Sequence, residues 1–336
     1  MDSKVQLQAS SALVKHHSTT IQDRPPQAPQ NLGPLMRSLP SSVLPYAQLM
    51  RVDKPVGTWL LLWPSSWGIG MAAYATHASL LHTSGVLALF GIGALVMRGA
   101  GCTVNDLWDR KLDQKVERTL TRPIASGAIT PKQAIIFLGG QLSLGLTVLL
   151  SLPFDCFILG AASLAFVGTY PLFKRFTYYP QLMLAFTYNW GAMLGFPAMG
   201  HWDVPTMAAL YASGICWTMV YDTVYAHQDK RDDILVGIKS TALAWKDKSK
   251  QVMTGFTIAQ VGLLATAGLL NSMGTFYFAS VGVAAYRLAR MIYKADLDKP
   301  ADCWKWFVDN VKTGGVIFAG IVLDYFYSLY MSAGSV

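Results

Sequence analysis

The chain has 336 residues, of which 52% are hydrophobic and only 14% charged, and a net charge of +8. Soluble domains carry about a quarter charged residues, so a water-soluble globule of this length is excluded. Cys102, Cys156, Cys216 and Cys303 show no CxxC spacing, which excludes a zinc site and a disulfide scaffold. The positive balance on so apolar a chain points to anionic lipid or an anionic substrate, not nucleic acid.

Residues 1–45 are polar and rich in Pro, Ser and Gln, with no apolar run of signal-peptide length. Lys4, Lys15, Arg24 and Arg37 outnumber Asp2 and Asp23, so this arm reads as a disordered tail or a residual presequence. From about Gly57 onward, apolar stretches of roughly 18–21 residues recur, the length of a helix crossing ~30 Å of hydrocarbon. They fall near 57–75, 84–103, 133–152, 155–173, 181–200, 204–224, 251–270, 273–293 and 313–333. The prediction is a single all-α membrane domain over 46–334 with nine transmembrane helices. Pro64, Pro171 and Pro197 inside these stretches are tolerated in a bundle. Gly91-x-Gly93 and Gly191-x-x-x-Gly195 allow close helix contact.

Basic residues test this count. The N-terminal arm holds 6, the 2–3 connection 6, the 4–5 connection 2, the 6–7 connection 6 and the 8–9 connection 6. The opposite connections hold none, and Arg98 is the one basic residue well inside a span. Cations stay on the side of insertion, so this parity supports nine spans with the long connections on the N-terminal side.

The 2–3 and 6–7 connections are unusual in their acids. Asn105, Asp109 and Asp113 are spaced by four, as are Asp229 and Asp233, with Asp222 seven residues earlier. On a helix each set stacks on one face, where like charges repel, so a cation must offset them. Mg²⁺ fits, because it takes oxygen ligands and is held by one or two carboxylates together with substrate phosphate. Neither cluster offers Cys, and only His227 is near. Arg110, Lys111, Arg118, Arg122, Lys174, Arg175 and Lys239 surround them. Acidic clusters with interleaved cations suit a metal-bridged diphosphate.

The segments NDLWDRKLD with ERTLTRPIASG, and YDTVYAHQDKRDDILVGIKSTA, resemble the two aspartate-rich signatures of the UbiA superfamily of intramembrane prenyltransferases. With LMRVDKPVGTWLLLWPSSWG, MRGAGCTVND and TYPLFKRFTYYPQ, the likeness is to the ubiquinone-biosynthesis branch that prenylates 4-hydroxybenzoate, most closely the mitochondrial one. It runs from about Leu44 to Leu329.

The resemblance implies nine helices around a central cavity capped by the two Asp-rich loops. It implies two Mg²⁺ ions held by Asn105, Asp109, Asp113, Asp229 and Asp233, with diphosphate contacts at Arg110, Lys174 and Arg175. Arg118, Arg122 and Lys239 join that set by position. A polyprenyl diphosphate would ionise at its allylic carbon and be attacked by the phenol ring ortho to the hydroxyl, with Asp109 and Asp229 as catalytic carboxylates. Tyr170, Tyr188, Trp190, Trp217, Tyr221 and Tyr225 lie on helices expected to line the cavity, where aromatic faces stabilise a cation. Arg51, Lys54 and Tyr225 are the expected contacts of the aromatic acid.

The implied setting is the mitochondrial inner membrane with the site facing the matrix, or alternatively a bacterial plasma membrane. Partners are the lipid bilayer, the two substrates and other quinone-biosynthesis proteins. Amino-substituted hydroxybenzoate, homogentisate and a menaquinone precursor are alternative acceptors. A transporter is the alternative of another class, but it would place ionisable groups near the midplane, where only Arg98 lies.

Overall fold

The computed structural model of the protein describes residues 32–114 and 119–333, so the 1–31 part of the arm and Arg118 lie outside the described residues. Nine long helices dominate the described chain: α1 (Val56–Thr76), α2 (Leu80–Trp108), α3 (Pro131–Leu150), α4 (Phe154–Phe176), α5 (Pro180–Ala198), α6 (Val204–Val236), α7 (Ser249–Leu270), α8 (Thr275–Lys294) and α9 (Pro300–Ala333). Each covers one of the expected spans. Helices α6 and α9 run well past theirs, at the C-terminal and N-terminal ends respectively.

Four stretches, Leu80–Trp108, Pro131–Leu150, Thr241–Leu270 and Pro300–Met331, are by themselves long and apolar enough to cross a bilayer. Helix α1 faces protein along much of its length. Pro64, Ser65, Ser66, Trp67, Gly68 and Gly70 are all buried, and small or polar residues of this kind make helix–helix contacts in membranes.

The chain splits into two compact units, Met1–Pro55 with Gly99–Leu142 and Val56–Arg98 with Ser143–Val336. In the larger unit α1 packs on α5 and α9, α5 on α4 and α6, α6 on α7 and α9, and α8 on α7 and α9. The α1–α5 contact rests on the expected small-residue pair. A Cβ at Gly195 would strike the backbone of Gly68 and Ile69, and one at Gly191 would strike Ser65. Gly91 does not repeat this, since a Cβ there meets open space.

Trp67, Phe196, Trp217, Tyr221 and Tyr277 form the fully buried centre of this unit. Trp67 and Trp217 lie 5.2 Å apart. Their ring nitrogens donate to the Gly314 carbonyl at 3.0 Å and to Asn310 Oδ1 at 3.2 Å, so neither indole carries an unpaired donor into the core.

Two ionisable groups escape a sorting of charge by connections. Arg287, counted above with the 8–9 connection, lies instead within α8 and donates to Asp309 Oδ2 at 2.7 Å and to Thr313 Oγ1 at 3.1 Å on α9. Asp324, buried within α9, accepts the backbone N–H of Phe276 at 3.2 Å and of Tyr277 at 2.9 Å. These are orphan amides of the first turn of α8, so the carboxylate caps that helix from a neighbour.

The smaller unit gathers the short helices Pro34–Arg37, Leu44–Leu49 and Arg110–Asp113 with the end of α2 and the start of α3. Its core is Leu49, Ile124, Ile129 and Ala134, with Tyr46 against Phe137 at 5.0 Å. Thr103 Oγ1 donates to Gln141 Oε1 at 3.0 Å, tying α2 to α3.

Candidate active site

The first acidic motif belongs to the smaller unit. Regular helix stops at Trp108, Asp109 departs from helical geometry (φ −88°, ψ 5°), and one further turn spans Arg110–Asp113. The backbone ladder nevertheless crosses the break. Asp109 N donates to Asn105 O at 2.8 Å and Asp113 N to Asp109 O at 2.9 Å. Asn105, Asp109 and Asp113 therefore keep the expected four-residue register. Asn105 and Asp109 are half-buried and Asp113 is buried. Burial pushes the Asp113 carboxyl above the ordinary carboxylate range, against the opposing pull of Arg122, and the charges of Asp106 and Asp109 add to the rise.

The second motif belongs to the larger unit. Helix α6 runs unbroken through Asp222, Asp229 and Asp233. It ends at Gly237 in the left-handed region (φ 72°), whose N–H bonds to the Asp233 carbonyl, a cap geometry that glycine adopts without steric cost. Asp222, Asp229 and Asp233 are all half-buried. His227 is buried, with Nε2 3.0 Å from Ser249 Oγ, so the one nearby imidazole is committed to α7.

The expected donors are one amide oxygen and two carboxylates in the first motif, and the carboxylates of Asp229 and Asp233 in the second. No group of three His, Cys, Asp or Glu side chains converges among the described residues. Mg²⁺ needs only one or two carboxylates, with waters and substrate phosphate completing its shell. The hard-oxygen set fits that ion and not a metal that prefers thiolate or imidazole.

The UbiA prenyltransferase family model matches residues 61–319 of this chain. The chain belongs to the UbiA prenyltransferase family. It is 54% identical over 301 residues to the mitochondrial 4-hydroxybenzoate polyprenyltransferase of Saccharomyces cerevisiae, covering 89% of this chain and 81% of that protein. Among solved structures, the apo UbiA homolog of Aeropyrum pernix K1 aligns with a TM-score of 0.67 at 20% identity, over 79% of this chain and 97% of its own. The Archaeoglobus fulgidus UbiA homolog bound to GPP and Mg²⁺ aligns at 0.59 and 17%, over 83% and 99%. At such identities the structures speak for the fold.

The basic residues expected at the site fall in different places. Lys174 and Arg175 occupy the last turn of α4, though their side chains, like that of Tyr170, lie outside the described residues. Lys239 reaches the connection that follows α4, donating to the Phe176 carbonyl at 3.3 Å and lying 5.2 Å from the Tyr178 ring centre. Arg122 and Arg51 both turn onto Asp106. Arg51 Nη2 meets its two oxygens at 2.8 and 2.9 Å, and Arg122 Nη1 meets Oδ1 at 3.2 Å. Arg110 is half-buried and Lys54 exposed.

The aromatic expectations divide as well. Tyr225 is half-buried, against Phe307 at 4.7 Å and Trp304 at 6.3 Å. Trp217 and Tyr221 are sealed in the core, where the Thr218 hydroxyl donates to the Tyr221 oxygen at 3.0 Å. They are packing residues and not exposed walls. Trp190 donates to the Leu159 carbonyl at 2.8 Å. Tyr188 lies under Arg98, whose guanidinium carbon is 5.9 Å from the ring centre. Arg98 packs so tightly on Gly57 that any Cβ there would collide with its guanidinium. Neither Arg98 nor Asp106 is among the residues expected at the site from the sequence. The mid-span position of Arg98 was its visible signal, and Asp106 had none beyond standing next to Asn105.

Proposed function

We propose that this chain transfers a polyprenyl group from polyprenyl diphosphate to the ring of 4-hydroxybenzoate, ortho to the hydroxyl, as a step of ubiquinone biosynthesis. The carrying observation is that both acidic motifs keep their ligand register, Asn105–Asp109–Asp113 across a bend and Asp229–Asp233 on an unbroken helix. The name of the yeast relative, identical at 54% of aligned positions, supports the choice of acceptor. The mitochondrial names of several relatives support a mitochondrial membrane, and in this reading it is the inner one, with the site facing the matrix.

In this reading Asn105, Asp109, Asp113, Asp229 and Asp233 would hold two Mg²⁺ ions, which would supply positive charge to a departing diphosphate. Arg110, Arg118, Arg122, Lys174, Arg175 and Lys239 bind the diphosphate oxygens and stabilise the charge that grows there as the allylic C–O bond breaks. Tyr225 offers its π face to the carbocation. The ring carbon ortho to the phenol forms the new C–C bond, and Asp229 accepts the proton which that carbon releases. Lys54 and the half-buried cation Arg98 are candidates for the acid's carboxylate. The Arg51 guanidinium is taken up by Asp106, which favours a positioning role for it.

The test is purified protein in detergent with one allylic diphosphate and a panel of acceptors, with and without Mg²⁺. Prenylated 4-hydroxybenzoate formed only with Mg²⁺ is expected. Product with homogentisate or an amino-substituted acid, and none with 4-hydroxybenzoate, would reassign the substrate.

A further inference from the structure

Four charged side chains of the smaller unit alternate in one connected line. Arg51 bonds to Asp106 at 2.8 and 2.9 Å and to the Gln48 carbonyl at 3.1 Å. Asp106 accepts Arg122 at 3.2 Å, and the same Arg122 nitrogen donates to Asp113 Oδ2 at 2.9 Å. Two guanidinium groups and two carboxylates leave the line neutral.

Asp106 is its most deeply buried member, 1% exposed, while the side chains of Arg51 and Arg122 are 18% and 24% exposed. A carboxylate has about four acceptor sites, and the two arginines already fill most of those on Asp106. One residue beyond Asn105, it points about 100° away from the ligand face. Both facts remove it from metal ligation. Arg51 holds a left-handed backbone (φ 59°), a strained state that persists only where the surroundings over-determine it.

Resting on the diphosphate transfer proposed above, we infer that Asp106 is the positioning residue of the first motif, fixing the Arg122 guanidinium beside Asp113. Asp106 is a permanent counter-ion, which lets two arginines share one place without repelling each other. Asp113 is the exchangeable partner. When its charge is taken up by a metal, the N–H it held becomes available to a diphosphate oxygen, and the contact to Asp106 keeps Arg122 from swinging away. Arg51 braces Asp106 from the other side.

The experiment uses the full chain in detergent and reads two quantities. One is Mg²⁺-dependent binding of inorganic pyrophosphate; the other is KM for the allylic diphosphate against KM for the aromatic acid. Asp106→Asn should weaken pyrophosphate binding and raise KM for the diphosphate about tenfold, the worth of a charge-assisted hydrogen bond, with KM for the acid within about twofold. Arg122→Lys, which keeps the charge and loses the fork, should move the same two quantities if Asp106→Asn does not fold. Asp106→Asn in an Arg122→Gln background should add little, because it acts through Arg122.

Independent, multiplying effects of the two substitutions would overturn the inference. So would Arg51→Met raising KM for the acid alone, since Arg51 would then be reading the substrate carboxylate. Wild-type protein that binds no pyrophosphate with Mg²⁺ defeats the functional reading. Wild-type binding left unchanged by Asp106→Asn defeats this inference alone.

Discussion

Asp109 and Asp233 make the sharpest test at the level of single residues. Asn matches each carboxylate in shape and removes its charge, so Asp109→Asn and Asp233→Asn should each lower kcat about 10²-fold or more, partly restored by raised Mg²⁺. If both ligate metal for one shared diphosphate, the double variant should cost less than the sum of the singles in activation free energy. Asp247→Asn, outside both motifs, should stay near wild type. Initial rates over a Mg²⁺ titration check all four proteins, and near-normal rates for both singles at limiting Mg²⁺ would remove these residues from the metal. The half-buried cation Arg98 allows a parallel comparison. Arg98→Met should raise KM for the aromatic acid more than KM for the diphosphate if Arg98 reads the carboxylate, and steady-state kinetics in both substrates decide it.

At the scale of elements, the α1–α5 seam is held by absent side chains. A Cβ at Gly195 would collide with backbone at Gly68 and Ile69, and backbone cannot rotate aside as a flexible side chain can. Gly195→Leu should cost about 1–3 kcal/mol, seen as a lower midpoint of thermal unfolding in detergent. Gly91→Leu, facing open space, should leave that midpoint unchanged. Helix number, order and approximate ends were legible in the sequence, because apolar length and the side of each basic residue report on water and lipid, and these act on each residue separately. The ligand register was legible for a similar reason, since four-residue spacing is a local property of helix. Pairings across sequence distance were not. Asp106 takes its meaning from Arg51, 55 positions away, and Arg122, 16 away. Asp324 takes its meaning from amides 47 and 48 positions away. Trp217 and Tyr221 belong to a helix expected at the cavity, yet which face of α6 is sealed depends on how α1 and α9 pack against it.

For the whole molecule, the basic residues predict which ends of the helices share one side of the membrane. Cysteines introduced as Gln114→Cys and Asp247→Cys should react with an impermeant thiol reagent from the same side as one placed at residue 20. Labelling of either from the opposite side would change the number of crossings. Three of the four native thiols, Cys102, Cys156 and Cys303, are buried, so the labelling can be read over a low background.

Helix α6 has 33 residues, about 50 Å of rigid rod against a hydrocarbon layer of ~30 Å. Its first turn follows the exposed Trp202 and the capping Asp203, a polar and aromatic edge of the kind found where membrane meets water. Asp229 then stands roughly 37 Å along the axis from that edge, beyond the far side of the hydrocarbon. The helix acts as a ruler. If the second acidic cluster holds the diphosphate as proposed, the helix fixes its height above the oil and keeps it in water while the isoprenoid reaches down into lipid. A bilayer several ångströms thicker would draw that height toward zero, and turnover in bilayers of graded acyl length should fall as the membrane thickens.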